Sequence, residues 1–246
     1  MIKIIADMHT HNGEVCNHAT GSIDEMLQKA SERGLFAIAN TDHGPGFCFD
    51  GEGKQYYLDN LKRPETLYGV RLFCGIEANI RDYDGQLDMK TDSLKQLDWV
   101  IASMHGGFYP FGNSEENTLA YMNVLENPAV DCLGHIERSS YAVDYERVIV
   151  RVKEKGRTIE INNHSFDFQD TDLNRCCEIA GLCMKYELPV VISSDAHSVN
   201  ETGSFPHCMD FLESIDFPED LIINADVERL LSFMDKRIKQ KALIGV

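Results

Sequence analysis

Seven short apolar runs, separated by stretches of helical character, limit the folds open to this sequence. They cover residues 2–6, 35–39, 70–76, 98–104, 130–134, 158–161 and 189–194. Runs this short and this largely apolar read as buried strands. The stretches between them carry helix signals. Ser22-Ile23-Asp24-Glu25 has the form of a capping box, and Gly34 closes the helix that follows. Residues 114–126, 143–155 and 173–186 are helical in pattern, and the tail alternates short helical segments with turns. Segment 47–68 has no clean period and reads as a variable loop with room for one helix. Strands alternating with helices build a parallel sheet, and 246 residues suit one α/β barrel domain over 1–246.

The histidines say where such a barrel would do chemistry. Asp7-Met8-His9-Thr10-His11 follows the first run, and in an extended segment residues two apart point the same way. His9 and His11 therefore present two imidazoles in one direction, with Asp7 on the same side. His9, His11, Asp42, His43, Glu77, His105, His135, Asp195 and His197 all fall at or just past the carboxyl end of an expected strand. In a β/α barrel those ends open on one face, where catalytic groups gather. Of the nine histidines, His164 also follows a strand and His18 lies in the loop after the first; only His207 stands apart, as a structural or surface residue.

Seven imidazoles (His9, His11, His18, His43, His105, His135, His197) and two carboxylates (Glu77, Asp195) thus converge. One catalytic zinc needs three protein ligands and a water, so this set suffices for two or three divalent ions, with Glu77 able to bridge. Imidazole-rich sites favour zinc, iron or manganese over magnesium or calcium, which take oxygen shells. Asp7 and Asp42 are expected to orient nearby imidazoles through their second nitrogens. Arg138, just past His135, is a candidate phosphate ligand. His164 is either a leaving-group acid or a bystander.

Composition excludes several alternatives. A formal net charge of −17 opposes a general affinity for nucleic acid. No apolar run approaches the roughly 20 residues that span a bilayer, and the amino terminus lacks the pattern of a secretory signal, so a cytoplasmic protein without membrane contact is expected. The eight cysteines (16, 48, 74, 132, 176, 177, 183 and 208) form no Cys-x-x-Cys and read as free thiols of a reducing compartment. Asp82-Tyr83-Asp84-Gly85 lacks the remaining ligands of a calcium loop and reads as a tight turn.

The motifs Asp-x-His-x-His at 7–11 with His18, Thr-Asp-His-Gly at 41–44, Gly-Ile-Glu at 75–77, His105, Gly-His at 134–135 and Ser-Asp-x-His at 194–197 together resemble the PHP (polymerase and histidinol phosphatase) superfamily. Segments 41–45, 75–80, 160–163 and 194–197 are most similar to its YcdX-like stand-alone phosphatases. The resemblance implies a distorted (β/α)7 TIM-like barrel with a trinuclear site, usually of zinc. It implies His9, His11, Glu77 and Asp195 on the first metal, and Glu77, His105 and His135 on the second. His18, His43 and His197 fall to the third. Gly106-Gly107-Phe108 and Ile136-Glu137-Arg138-Ser139 depart from the YcdX pattern, so the substrate does not transfer.

Clustered ions suit phosphoryl transfer because they clamp phosphate oxygens, offset developing charge and lower the pKa of a bound water. The expected activity is hydrolysis of small phosphate monoesters by a metal-bridging hydroxide, with Glu77, Asp195 and His197 as catalytic residues. A metal-dependent nuclease or phosphodiesterase is the alternative, and a non-catalytic metal-binding protein a further one. The sequence leaves the substrate, the oligomeric state and the leaving-group acid open.

Overall fold

The computed structural model describes residues 2–15, 17–48, 54–110, 112–138, 142–167 and 171–245; Cys16, the side chain of Cys48, residues 49–53 of the variable loop and Ser139 lie outside them. The parallel strands are β1 (Ala6–Thr10), β2 (Ala37–Asn40), β4 (Val70–Asn79), β5 (Trp99–Ser103), β6 (Cys132–Leu133), β7 (Thr158–Asn162) and β8 (Val190–Ser193), hydrogen-bonded in that order. A two-residue β3 (Thr66–Leu67), not expected from the sequence, pairs antiparallel with β4. The helices are α1 (Ile23–Glu32), α2 (Pro45–Cys48), α3 (Lys54–Asn60), α4 (Thr91–Leu94), α5 (Ser114–Val124), α6 (Tyr145–Glu154), α7 (Leu173–Lys185), α8 (Pro206–Ser214) and α9 (Val227–Ala242). α1 begins at the expected capping box, with the Ser22 side chain accepting from the Glu25 amide and the Glu25 side chain from the Ser22 amide. No described helix is long and apolar enough to cross a membrane.

Two strands run past their expected ends. β1 starts four residues later than the first apolar run and continues through His9, because its polar side chains find partners inside the fold. β4 extends to Asn79, which places Glu77 on the strand itself. The tail is more regular than expected, ending in the 16-residue α9.

The core has two parts. Outward-facing residues such as Ile38, Leu72, Val100 and Ile192 pack under the helices. The barrel interior holds Ala6, Met8, Ala37, Ala39, Phe73 and Trp99, closed from below by Leu230 and Met234 of α9. Alanines on β1 and β2 leave room for the Trp99 indole, whose Nε1 donates to the Met8 carbonyl at 3.0 Å. Above this floor the interior turns polar.

The seam between β1 and β8 is held at its top by the Asp195 amide on the His9 carbonyl (2.9 Å) and the His11 amide on the Ala196 carbonyl (2.8 Å). Below, the strands part and the Asn224 side chain fills the gap. Its Nδ2 donates to the carbonyls of Ala6 and Ile192, both at 2.7 Å, and its Oδ1 accepts from the Ile192 amide at 2.9 Å. One amide side chain thereby substitutes for a missing peptide of the ladder.

Candidate metal centre

The polar layer gathers every expected ligand around one carboxylate. Glu77, fully buried on β4, has Oε2 at 2.6 Å from His43 Nδ1, 3.5 Å from His9 Nε2 and 3.6 Å from His11 Nε2. Its Oε1 lies 2.8 Å from His135 Nε2 and 3.2 Å from His105 Nε2. Asp195 approaches from the far side, with Oδ1 at 3.1 Å from His11 Nε2 and 3.5 Å from His9 Nε2. His197 follows it, Nδ1 at 2.9 Å from the Asp195 carbonyl. His18 completes the ring from the β1–α1 loop, its centroid 5.0 Å from those of His43 and His197. Three sets of donors stand within 4.8 Å of one another: His9, His11 and Glu77; His43, Glu77 and His105; His11, His43 and His197.

Local backbone places these groups. The register of β1 against β2 shifts between Asp7 and Thr10, an irregularity that re-aims side chains. Simple alternation would put Asp7 beside His9; instead they part company. His9 turns inward, its Nδ1 at 2.9 Å from Glu160 Oε2, while Asp7 accepts from the Ser194 amide (3.0 Å), the Ser194 hydroxyl (2.5 Å) and the Gly203 amide (2.7 Å). His135 and Asp195 hold left-handed backbone, with φ of 27° and 55°, a conformation that costs about 1–3 kcal/mol and gathers at functional sites. Gly134 must lack a side chain: a Cβ there would stand 2.2 Å from Ser103 Oγ and 3.3 Å from Glu160 Oε1.

The expected orienting residues are therefore corrected. Asp7 pins β1 to the loop after β8, and Asp42 accepts from Asn12, Asn40 and Tyr56 rather than from an imidazole. The orienting partners are Glu160 for His9 and Asn79 for His105, whose Nδ1 lies 2.7 Å from Asn79 Oδ1. Asn79 is itself fixed by Asp88, which accepts from its amide and side chain. Glu160 also accepts from the His135 amide (2.7 Å), Asn162 (3.0 Å) and the Ser193 hydroxyl (2.5 Å). The segment containing Glu160 carries part of the family resemblance, and a buried acidic residue mid-strand was the signal for a role there.

The donor set fits divalent cations. His11 Nδ1, His43 Nδ1, His105 Nε2 and Glu77 Oε2 are buried without a hydrogen-bond partner among the described residues, an arrangement that is costly unless something else satisfies them. His43 Nδ1 and Glu77 Oε2 stand 2.6 Å apart, so the carboxylate and the imidazole present their donor atoms to the same point. Burial and its imidazole neighbours, His43 first, push His11 well below the usual histidine range. Burial likewise lowers His18, His43 and His135, which keeps their lone pairs available. Burial would raise Glu77, but His105, His43 and His9 hold it well below the usual carboxylate range. Burial also opposes the charge on Asp195, and His9 and Arg138 outweigh it. For His9 burial works downward, and Glu160, Asp195 and Glu77 together raise it.

Above the cluster opens a cavity of about 420 Å³, walled by Phe47, Arg138, His164 and His197 among others. Arg138 donates from Nη2 to Asp195 Oδ2 at 2.7 Å and from Nε to Ser165 Oγ at 3.2 Å. His164 Nδ1 lies 3.3 Å from Asp167 Oδ2, and Asp167 Oδ1 is 3.2 Å from Nε2 of the exposed His207.

The sequence profile of the PHP domain matches residues 7–170. A probable phosphatase of Clostridium botulinum is 40% identical over 243 residues, covering 98% of this chain and 99% of the relative. One from Acetivibrio thermocellus is 40% identical over 241 residues, covering 98% and 97%. Among solved structures, histidinol phosphate phosphatase from Lactococcus lactis, crystallised with zinc, L-histidinol and phosphate, superposes with a TM-score of 0.64 at 17% identity, over 87% of this chain and 94% of that one. That likeness shows a shared fold, and the sequence matches show the kinship: the chain belongs to the PHP domain family.

Proposed function

We propose that this chain is a metal-dependent phosphatase that hydrolyses small phosphate monoesters at three divalent ions, zinc foremost. The observation that carries the reading is the position of Glu77, one buried carboxylate within 3.6 Å of five imidazoles. The relatives named probable phosphatases, 40% identical over almost the whole chain, support the same activity. His9, His11, Glu77 and Asp195 would hold the first ion, Glu77, His105 and His135 the second, and His18, His43 and His197 the third. His11 also stands within reach of His43 and His197, so it couples the first and third groups.

Bound there, the ions supply positive charge for phosphate oxygens and acidify water. The protein's own groups do the rest. Glu160 and Asn79 keep the protons of His9 and His105 on Nδ1, so that Nε2 faces the centre. Arg138 fixes Asp195 and stands in the cavity wall, where a substrate phosphate oxygen would meet its guanidinium. Asp195 and His197 come from beyond residue 170, so the working PHP unit extends past the profile match, and we read residues 1–246 as one domain. The net charge of −17 favours a small substrate over nucleic acid. Six described cysteines are free thiols, in keeping with work in the cytoplasm.

Phosphate release from a phosphomonoester tests the reading, comparing metal-loaded protein with the same sample stripped by chelator and reloaded. Activity that disappears and returns is expected. Cleavage of a single-stranded oligonucleotide without phosphomonoester turnover would overturn it in favour of a nuclease.

A further inference from the structure

Arg138 is the one arginine or lysine that lines the metal cavity among the described residues. A side chain with so many rotatable bonds serves as an anion ligand only as well as its head is held. The holding groups sit on β7 and on the single helical turn His164–Asp167 that follows it. Arg138 Nε donates to Ser165 Oγ at 3.2 Å. Its Nη2 donates to Asn162 Oδ1 at 3.3 Å and to Asp195 Oδ2 at 2.7 Å. Nε and Nη2 carry parallel N–H groups along one edge of the planar guanidinium, so these acceptors hold the group edge-on. The side chain keeps 20% of its surface exposed while it lines the cavity.

The acceptors are fixed in turn. Asn162 Nδ2 donates to Glu160 Oε1 at 3.0 Å and to Asp195 Oδ2 at 3.2 Å, and its Oδ1 also accepts from the Ser165 amide at 3.1 Å. Two carboxylate oxygens face the NH2 and two N–H donors face the oxygen, so a flipped amide would lose all four bonds. Ser165 is fully buried, and the Thr171 hydroxyl donates to its carbonyl at 2.5 Å. The Ser165 hydroxyl bonds the carboxyl of Glu137, which is buried beside Ile161, Phe166 and Cys176. An arginine Nε can only donate, so the hydroxyl proton points to Glu137 and an oxygen lone pair meets Arg138. Among the described residues Ser165 bonds none of the candidate metal ligands.

We propose that Ser165 is a positioning residue for the phosphatase reaction. Held by Asn162 and Glu137, it fixes the Arg138 guanidinium in the orientation that receives a substrate phosphate oxygen. The inference rests on the phosphatase reading and adds the frame that makes Arg138 usable without rearrangement. Because Ser165 reaches the cavity only through Arg138, its removal should weaken phosphate handling and leave the ions in place.

A double-mutant cycle on zinc-loaded protein tests this, reading kcat/KM for an aryl phosphate and bound zinc in wild type, Ser165→Ala, Arg138→Ala and the double variant. Ser165→Ala should lower kcat/KM about two- to twelvefold, the range of one net hydrogen bond, since Asp195 and Asn162 still hold Nη2. Its zinc content should match the wild type. In the Arg138→Ala background the same substitution should change almost nothing, because the group it positions is gone. An equal factor in both backgrounds would make Ser165 a general support of the fold and overturn the proposal. So would an unchanged kcat/KM in Ser165→Ala, or a loss that follows a loss of zinc. Inactivity of the wild type on every phosphomonoester would sink the phosphatase reading instead. Binding of inorganic phosphate to the zinc-loaded protein by calorimetry then decides on Ser165 alone: weaker binding in Ser165→Ala supports the frame, and equal binding overturns it.

Discussion

Glu160→Gln changes almost no volume and should nonetheless loosen the metal centre. Oε1 of Glu160 accepts from the His135 amide at 2.7 Å and Asn162 Nδ2 at 3.0 Å, and Oε2 accepts from His9 Nδ1 at 2.9 Å and the Ser193 hydroxyl at 2.5 Å. A glutamine supplies one acceptor oxygen and one NH2. Placed at Oε1, the NH2 would confront a backbone N–H that cannot move. Placed at Oε2, it faces Ser193, whose hydroxyl can turn to accept, and His9, whose ring must then accept at Nδ1. A neutral His9 does so only by carrying its proton on Nε2, the nitrogen that faces His11 at 3.0 Å and must be bare to bind an ion. A charge-assisted hydrogen bond contributes about 1.5–3 kcal/mol, which is about 10- to 150-fold in affinity. Losses of about 10- to 100-fold are usual when the partner of a ligating histidine is removed. Metal content read against a series of buffered free-zinc concentrations should therefore shift by one to two decades for the ion nearest His9, with activity recovering at high zinc. Wild-type affinity and wild-type activity in Glu160→Gln would refute the tautomer argument.

Four further outcomes follow from the same geometry. Arg138→Ala should lower kcat/KM by about 10- to 150-fold, because Asp195 loses a charged partner and the cavity a cation; Arg138→Lys should rescue little of it, since one ammonium cannot reach both Asp195 and Ser165, and a full rescue would show that charge alone matters. Asn224→Ala should destabilise the protein by about 3 kcal/mol or more in denaturant unfolding, as two carbonyls and an amide at the seam lose their partners; a loss under about 1 kcal/mol would mean that the strands close without it. Gly134→Ala should cost about 1–3 kcal/mol through overpacking on Ser103 and Ile101 and should also reduce metal content, since the new methyl presses on Glu160; full metal occupancy would contradict the link. Burial pushes Glu137 up from 4.5 to about 7, so the unfolded chain ionises first as pH rises, and metal-stripped protein should lose about 3 kcal/mol of stability between pH 4.5 and 7 from this group. Glu137→Gln should remove that part of the slope in unfolding experiments, and parallel pH profiles for the two proteins would refute it.

The sequence was informative where a residue's chemistry and its place coincide. Each of the seven apolar runs overlaps one parallel strand, because strands buried on both faces are mostly apolar. All nine expected ligands converge, because strand ends of a β/α barrel share one face. What escaped depends on backbone irregularity and on partners far apart in the chain. The shift in β1 separates Asp7 from His9, and no alternation argument contains it. The pairing of His9 with Glu160 spans 151 positions and links the first parallel strand to the sixth. Asn224 closes the barrel from a tail that carried no strand signal, and a single side chain mimicking a peptide leaves no periodic trace. Phe47 sat in a loop without period, and only the fold puts its ring against His43.

Titration of chelator-stripped protein with zinc, following bound metal and phosphate release from an aryl phosphate in the same samples, tests the central claim most directly. The account predicts no activity without metal, uptake that saturates at three ions per chain, and phosphate release that rises with occupancy. Phosphate release undiminished by stripping, or full occupancy with no turnover of any phosphomonoester, would contradict it.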